Sequence, residues 1–174
     1  WWNFLGKKVK ADGNVGTPAL ELLYHDYEYH ILELSSFQLE MTKKIKCDVS
    51  LITNITPDHL DRHKNFENYK QIKHKIFLNS NRIIINRTDK NIRKNEYLLD
   101  NSFGSDAAPN ESSFGILKRG GVNYIVKGTE SIISENEIKL IGKHNLENIC
   151  SSLAVINILN LSLEKAINAI KIFE

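Results

Sequence analysis

Several features that would point to a particular class of protein are scarce or missing in this sequence of 174 residues. Its two cysteines, Cys47 and Cys150, lie far apart among apolar residues, which excludes a disulfide framework and predicts reduced thiols. No apolar run is long enough to cross a bilayer as a helix. The first residues also lack the charged start, apolar middle and cleavage site of a signal peptide. We therefore expect a cytoplasmic protein without a membrane partner.

An excess of charge of one sign is also lacking. The chain has 23 Lys and Arg residues against 21 Asp and Glu residues, a net charge of +2. Because this excess is too small to attract a polyanion, we expect no nucleic-acid partner. The phosphate-binding motif G-x-x-x-x-G-K-S/T occurs nowhere in the chain. Hydrophobic residues make up 41% and charged residues 25%, which is typical of a soluble globular domain.

What is present in the first two-thirds is an alternation of strand-like and helix-like segments. Short apolar runs predict strands at 8–11, 29–34, 48–55 and 82–86. Amphipathic patterns between them predict helices at 36–45 and 66–78. This order predicts an α/β fold, in which a mostly parallel, doubly wound sheet is flanked by helices on both faces.

The last third begins with a segment of different composition. Residues 101–141 are rich in Gly, Ser and Asn, and an alternating run follows the turn at Gly120 and Gly121. This pattern predicts a small antiparallel β excursion. Helical patterns return at 145–159 and 163–172. One α/β domain with a β insertion therefore accounts for the chain.

Lys73 occupies an unusual position on the helix predicted at 66–78. At about 100° per residue the apolar side chains form one face, and Lys73 falls within that face between Tyr69 and Phe77. A lysine in such a stripe commonly extends its amine to the surface. The alternative is a partly desolvated amine, whose neutral and reactive form is accessible. The pattern leaves both interpretations open.

Polar residues lie at the carboxyl ends of two predicted strands. Glu33 is the last carboxylate of one strand, and Asp58 and His59 follow the next. Ligands of open parallel sheets collect at this edge, so neighbouring strands would bring these residues to one crevice. Carboxylate oxygens suit Mg²⁺, whereas a neutral imidazole is less typical for so hard an ion. A helix cap would explain the Asp-His pair equally well.

Two further segments could bind a nucleotide. Residues 13–16 form either a strand-to-helix turn or a backbone nest aimed at phosphate oxygens. Asn145 and Asn148 open a helix and share one of its sides, where two amides could contact a base edge. N-capping by Asn145 would explain one of these amides without any ligand.

Four segments in this order resemble the signature segments of the Mur ligase family. They are ELSSFQLE at 33–40, NITPDHLDRH at 54–63, YKQIKHKIF at 69–77 and GKHNLENICSSLAV at 142–155. The short interval between DGNVG at 12–16 and the first segment resembles the branch that adds D-glutamate. The resemblance covers nearly the whole chain.

The resemblance implies roles for three residues at the predicted sheet edge. Glu33 is similar to the acidic ligand of the catalytic Mg²⁺, and His59 to the histidine at a second metal and the acyl phosphate. Lys73 is similar to the lysine that reacts with CO₂ to give a carbamate, which then helps to hold that metal. Since carbamylation needs a neutral amine, this implication agrees with the desolvated interpretation of Lys73.

The same resemblance implies residues that contact the two larger substrates. Asn145 and Asn148, accompanied by His144, are similar to the residues near the adenine of ATP. Asn14 is similar to an asparagine near the UDP-sugar, and Ser35 and Gln38 line the same neighbourhood.

The implied reaction is the ATP-dependent addition of D-glutamate to UDP-N-acetylmuramoyl-L-alanine through an acyl phosphate, a step of peptidoglycan biosynthesis. Through cell-wall biogenesis, this step serves cell shape and cell division. The alternatives are another Mur ligase, a ligase similar to folylpolyglutamate synthase, or a non-catalytic nucleotide-binding remnant. The retention of Glu33, His59 and Lys73 together argues against the remnant, because a scaffold has no need of them.

The sequence also departs from the family pattern, since the phosphate-binding loop is missing. We expect residues 1–174 to be a partial central domain, without the amino-terminal UDP-binding domain and the carboxyl-terminal amino-acid-binding domain. We also expect a monomer with little or no ligase activity by itself.

Overall fold

The computed structural model describes residues 5–14, 26–44, 46–92, 101–140 and 142–173. In this part of the chain there are eight strands. They are β1 (Val9–Gly13), β2 (Tyr29–Glu33), β3 (Cys47–Ile52), β4 (Ser80–Asn86), β5 (Ser102–Phe103), β6 (Phe114–Arg119), β7 (Val122–Lys127) and β8 (Glu130–Ser134). The α-helices are α1 (Ser36–Met41), α2 (Leu60–His63), α3 (Phe66–His74), α4 (Lys143–Ile158) and α5 (Leu163–Ile172). Short 3₁₀ turns at Lys75–Phe77 and Glu135–Glu137 follow α3 and β8.

The strands form two parallel sheets and one antiparallel sheet. β1 pairs with β2, and β3, β4 and β5 pair in that order, all parallel. β6, β7 and β8 form an antiparallel sheet of consecutive strands. Parallel strands linked by helices and followed by an antiparallel unit confirm the predicted α/β class. β2 and β3 belong to different sheets among the described residues, so the two strands are not hydrogen-bonded neighbours.

The main hydrophobic core lies where α4 packs against β4, β5 and β6. Leu153 of α4, Ile84 of β4 and Phe114 of β6 are fully buried in it. Burying an aliphatic or aromatic side chain contributes roughly 1.5–3 kcal/mol, so this layer is the main source of stability. Both thiols are free as predicted, and Cys150 is buried in this core.

β5 differs from the antiparallel excursion predicted for 101–141, because it pairs in parallel with β4. The buried guanidinium of Arg87, just after β4, explains how this segment is held. It donates to the carbonyl oxygens of Phe114, Ala107 and Asp106 at 2.7, 2.9 and 3.0 Å. These bonds attach the chain after β5 to the end of β4, so the antiparallel part begins only at β6.

Several element boundaries also differ from the sequence prediction. α1 ends at Met41, not at 45, because the Thr42 hydroxyl donates to the Gln38 carbonyl at 2.6 Å and Thr42 is extended. β3 ends at Ile52, and residues 53–59 leave the sheet as irregular backbone. α3 begins at Phe66 as predicted, although its last turn is 3₁₀. α5 has the predicted bounds.

Candidate functional site

The ends of β1 and β2 place Asn14 beside Glu33. Gly13 pairs with Glu33 in the parallel register, and its φ of 126° is one that side chains rarely adopt. A Cβ on Gly13 would collide with the Glu33 carbonyl oxygen, so only glycine allows the two strands this approach. The Asn14 backbone N–H donates to the Glu33 carbonyl at 2.7 Å, and its side-chain amide lies 3.4 Å from Glu33 Oε1. The exposed Glu33 carboxylate is therefore presented at the sheet edge with an amide beside it.

Lys73 reaches the same edge from α3. Its Nζ lies 3.5 Å from the carbonyl oxygen of Leu34, the residue that follows β2. Burial lowers the pKa of Lys73, while the nearby Glu33 carboxylate acts in the opposite direction and offsets part of that effect. The amine is directed at the protein instead of extending to the surface, so the desolvated interpretation describes this lysine better.

His59 stands at the start of α2 in a left-handed conformation, with φ of 48°. Its backbone N–H donates to Asp58 Oδ1 at 2.8 Å, and its Nε2 lies 3.4 Å from Asp58 Oδ2. About half of each side chain is exposed, 49% for His59 and 60% for Asp58. No side chain caps α2, so helix capping does not account for the Asp-His pair. A non-glycine residue held at positive φ stores local strain, a feature that clusters at functional sites.

Ser35 and Gln38 hold the start of α1, directly after Glu33. The Ser35 hydroxyl accepts from the Gln38 N–H at 3.2 Å, and Gln38 Oε1 accepts from the Ser35 N–H at 2.9 Å. This reciprocal capping box satisfies two of the free N–H groups of the helix start. Both side chains therefore fix how the backbone turns away from the sheet edge.

A set of polar residues at the end of β4 and just after it, not identified in the sequence analysis, bonds the start of the irregular backbone at 53–59. Asp89 Oδ2 accepts from the Ile55 N–H at 2.6 Å, and the Asn91 amide donates to the Ile55 carbonyl at 2.7 Å. The Asn86 amide donates to the Thr53 carbonyl at 2.8 Å. These bonds support the segment that carries Asp58 and His59. The available signal was a cluster of Asn and Asp directly after a buried strand.

The sequence analysis also did not identify His63, the last residue of α2, which is buried against α1 and α3. Its Nε2 is 3.0 Å from the Ser36 hydroxyl. The four-residue spacing from His59 on a short helix was the signal that could have identified it.

The residues predicted to lie near the adenine are on α4, which packs against β4, β5 and β6. α4 begins at Lys143 with Gly142 as its N-cap, at φ of 112° and without a side-chain cap. The capping explanation of Asn145 is therefore wrong, because the flexible Gly142 starts the helix three residues earlier. His144 is exposed, while Asn145 and Asn148 are half-buried in the first turns. Val15 and Gly16 of the predicted nest lie outside the described residues.

The donors at the sheet edge fit a hard divalent cation, although they do not enclose one. Among the residues that the structure describes, no three side chains of His, Cys, Asp or Glu come together. Glu33 offers exposed carboxylate oxygen, and the Lys73 amine becomes an oxygen donor only after carbamylation. Mg²⁺ binds through one or two carboxylates together with water and phosphate oxygens, which agrees with such an open set.

The chain matches the Mur ligase middle domain over residues 13–156. It is 33% identical over 168 residues to a UDP-N-acetylmuramoylalanine–D-glutamate ligase of Aliivibrio fischeri, covering 97% of this chain and 37% of that protein. It is 38% identical over 172 residues to the ligase of that name from Psychrobacter arcticus, covering 97% and 36%. The chain thus spans a little over a third of the length of these curated relatives.

Solved structures share the fold at lower identity. A UDP-N-acetylmuramate:L-alanyl-gamma-D-glutamyl-meso-diaminopimelate ligase from Neisseria meningitides superimposes with a TM-score of 0.69 at 12% identity, covering 99% of this chain and 59% of that one. MurF from Acinetobacter baumannii gives 0.69 at 16% identity, covering 98% and 42%. No helix in the described ranges is long and apolar enough to span a bilayer.

Proposed function

The chain belongs to the Mur ligase family, and we propose from this that it is the ATP-handling part of a ligase that adds D-glutamate to UDP-N-acetylmuramoyl-L-alanine. The choice of substrates is supported by the sequence similarity to UDP-N-acetylmuramoylalanine–D-glutamate ligases, at 33–38% identity over 97% of the chain. The observation that carries the proposal is the convergence of Glu33, Asn14 and the Lys73 amine at one sheet edge.

The proposed reaction has two steps. The carboxylate of UDP-N-acetylmuramoyl-L-alanine attacks the γ-phosphorus of ATP, which forms an acyl phosphate and releases ADP. The amine of D-glutamate then attacks the acyl carbon, and the tetrahedral intermediate expels phosphate, forms the amide and loses a proton. Positioning and the stabilisation of phosphate charge supply most of the rate in phosphoryl transfer.

Lys73 is proposed to act after conversion to a carbamate. Because burial lowers its pKa, the neutral amine is more accessible than in an exposed lysine. The amine attacks CO₂, an N–C bond forms, and one proton is released. The product is an anionic oxygen donor near the Glu33 carboxylate.

Glu33 is proposed to bind the catalytic Mg²⁺, and His59 and the Lys73 carbamate are proposed to hold a second metal ion. When bound, these ions would neutralise charge on the phosphate oxygens and orient the phosphoryl group. Asp58 lies within 3.4 Å of His59 Nε2 and restrains the orientation of the imidazole. The capping box of Ser35 and Gln38 fixes the turn after Glu33.

The remaining residues are proposed to contact the substrates. Asn14 lies at the sheet edge beside Glu33, where an amide can bind the UDP-sugar substrate. His144, Asn145 and Asn148 lie in the first turns of α4, where side-chain amides can donate to and accept from the adenine edge. Gly142, and neither asparagine, is the N-cap of this helix.

The test is amino-acid selectivity in the natural protein that carries this chain. With UDP-N-acetylmuramoyl-L-alanine and ATP, phosphate release should require D-glutamate, and L-alanine, L-lysine and meso-diaminopimelate should not replace it. The product is identified by mass spectrometry as the substrate extended by one glutamyl residue. Incorporation of another amino acid in place of D-glutamate would assign the chain to a different Mur ligase. ATP binding without turnover of any acceptor would favour the non-catalytic alternative.

A further inference from the structure

The imidazole of His63 is buried, with only 2% of the residue exposed. Its Nε2 lies 3.0 Å from the hydroxyl of Ser36, which is itself 3% exposed. Its Nδ1 is also enclosed and has no hydrogen-bond partner within the described part of the chain. When the ring hydrogen of His63 is on Nε2, it is donated to the Ser36 hydroxyl. The buried Nδ1 then carries no hydrogen and needs no acceptor. The pair is therefore a solitary polar contact in a packed environment.

Aromatic rings enclose this imidazole on two sides. The Phe37 ring stacks on it with centroids 5.5 Å apart and an interplanar angle of 24°. The Tyr69 ring lies at 5.4 Å and is tilted by 53°. Phe37 also contacts the His59 ring, at 4.9 Å. The position of Phe37 thus depends on His63 and in turn affects His59.

The residues that His63 contacts lie within four positions in sequence of Glu33 or Lys73, and His63 itself lies four residues after His59. Ser36 and Phe37 begin α1, three and four residues after Glu33. His63 ends α2, whose N-cap is His59. Tyr69 precedes Lys73 by one turn of α3. His63 therefore lies on the helix that His59 caps and contacts both α1, which follows Glu33, and α3, which carries Lys73.

The backbone of His63 strengthens the link to α3. Its carbonyl oxygen accepts from the Asn65 N–H at 2.9 Å and from the Asn68 side-chain amide at 3.2 Å. Asn65 is the N-cap of α3, and its side chain accepts from the Asn68 N–H at 2.8 Å. The start of α3 is thus anchored to the residue that also bonds α1.

Packing alone would not require a histidine here. An apolar aromatic ring would fill the same space without the cost of burying polar atoms, whereas a buried hydrogen bond fixes one geometry. We propose that His63 is a positioning residue, whose bond to Ser36 and ring contacts set the relative placement of Glu33, His59 and Lys73. This inference rests on the proposed function for its kinetic consequence, but its structural consequence can be measured independently.

The test uses the natural protein that carries this chain and two substitutions. His63→Phe keeps a ring between Phe37 and Tyr69 and removes both nitrogens, whereas His63→Gln keeps an amide that can bond Ser36. Displacing groups that support a site costs roughly 10- to 100-fold in rate, so kcat should fall by this factor in His63→Phe. KM for ATP should change by less than about threefold, because the proposed adenine contacts lie on α4. His63→Gln should recover most of kcat.

A second readout does not require turnover. The rate of Lys73 acetylation by a soluble acylating reagent, followed by peptide mass spectrometry, reports the environment of its amine. We expect this rate to change by at least about threefold in His63→Phe, since small displacements alter the burial of Nζ. Ile125→Val is the matched control, because Ile125 is fully buried in β7 and belongs to the main hydrophobic core around α4. It should leave both readouts near the wild-type values.

The proposal is overturned if His63→Phe matches Ile125→Val in kcat and in Lys73 acetylation. It is also overturned if His63→Gln loses as much as His63→Phe, because the bond to Ser36 would then be irrelevant. If His63→Phe does not fold, Ser36→Ala removes the other partner of the bond and should reproduce the loss of kcat. If the wild-type protein does not use D-glutamate, the proposed function fails, whereas the acetylation rates still decide the role of His63.

Discussion

At the scale of single residues, the partly buried amine of Lys73 on α3 affects the stability of the fold. Burial lowers its pKa, so the protonated form is less favourable in the folded protein than in the unfolded chain. This cost is fully present below the folded pKa and is relieved as the pH rises towards 10.5, the ordinary pKa of a lysine. Under the proposed function, the reactivity of the neutral amine and not stability is the reason for a lysine at this position.

Replacing Lys73 separates its proposed contribution to activity from its cost in stability. Lys73→Met should abolish the proposed activity, a loss of at least roughly 100-fold in kcat, because a ligand of the phosphoryl-transfer site is missing. Its midpoint of thermal unfolding at pH 7 should equal or exceed that of the wild type. Lys73→Glu should restore a small part of the activity through its carboxylate, and added bicarbonate should affect neither variant.

Lys70→Met on the same helix is the matched control for this substitution. Lys70, which is half-buried, forms an ion pair with the exposed Glu67 at 2.7 Å and lies over the Phe66 ring at 5.5 Å. Such contacts contribute on the order of 0.5–1 kcal/mol, so this variant should be slightly less stable and remain active. An active Lys73→Met protein would contradict the role proposed for this lysine.

Among the elements, the irregular segment at 53–59 depends on the loop that follows β4. Asp89 accepts from the N–H groups of Ile55 and Asn91 at 2.6 and 2.8 Å. Asp89→Ala leaves a buried N–H of Ile55 without an acceptor, and we expect a loss of roughly 1–3 kcal/mol in the free energy of unfolding. Hydrogen exchange of the Ile55 amide should accelerate by more than global unfolding alone predicts.

The control for Asp89→Ala is Asp48→Ala on β3, the strand that pairs with β4. Asp48 accepts from the Asn81 amide at 3.0 Å at an exposed position, so its loss should cost little. If both variants behave alike in the exchange of Ile55, the loop after β4 does not hold the segment that carries His59.

A second contact between elements joins the 3₁₀ turn after β8 to α5. Glu137 lies 2.8 Å from Lys171 Nζ, and this bond and the Ser134 N–H and hydroxyl lower the pKa of Glu137 to about 2. A carboxylate with a depressed folded pKa contributes stability above its unfolded pKa of 4.5, and this is lost as the pH falls towards 2. Because 45% of the side chain is exposed, solvent and salt weaken the contribution.

The titration of Glu137 can be read from denaturant unfolding of Glu137→Gln and wild type between pH 6 and about pH 3. The difference in the free energy of unfolding should be small and constant above pH 5, and should shrink as the pH falls below 4.5. It should also shrink in concentrated NaCl. A difference independent of pH would show that the hydrogen bonds, and not the charge, account for the effect.

For the whole molecule, the central question is how tightly this polypeptide holds ATP. The sequence contains no G-x-x-x-x-G-K-S/T motif that would bind the phosphates of ATP. The contacts proposed for ATP itself are therefore those of α4 with the adenine. We expect the 174-residue chain to bind ATP with Mg²⁺ more weakly than roughly 1 mM, a binding free energy weaker than about −4 kcal/mol.

Isothermal titration calorimetry of the 174-residue chain with ATP, with and without Mg²⁺, measures this affinity. AMP is the control ligand, because it keeps the adenine and lacks the β- and γ-phosphates. Similar weak binding of AMP and ATP is the expected outcome. Micromolar, Mg²⁺-dependent binding of ATP would show that the phosphates are anchored by residues other than those of a P-loop.

How well the sequence predicted each element depends on whether the interactions that define it are local along the chain. α5 has its predicted bounds because Ser162 caps it and its apolar residues recur at helical spacing. β5, by contrast, is two residues long and is defined by pairing with β4 and by Arg87, which lies fifteen residues from Ser102 in sequence. No local pattern specifies such a strand.

The sequence by itself determined the α/β class, the free cysteines and the family, and it predicted most of the residues of the candidate site. These features depend on composition, short spacings and ordered motifs, all of which are local along the chain. The tertiary structure decided that Lys73 reaches Leu34, that Gly142 and not Asn145 caps α4, and that His63 is enclosed by α1 and α3. Those facts depend on contacts between residues far apart in sequence, which only the packing of complete elements can define.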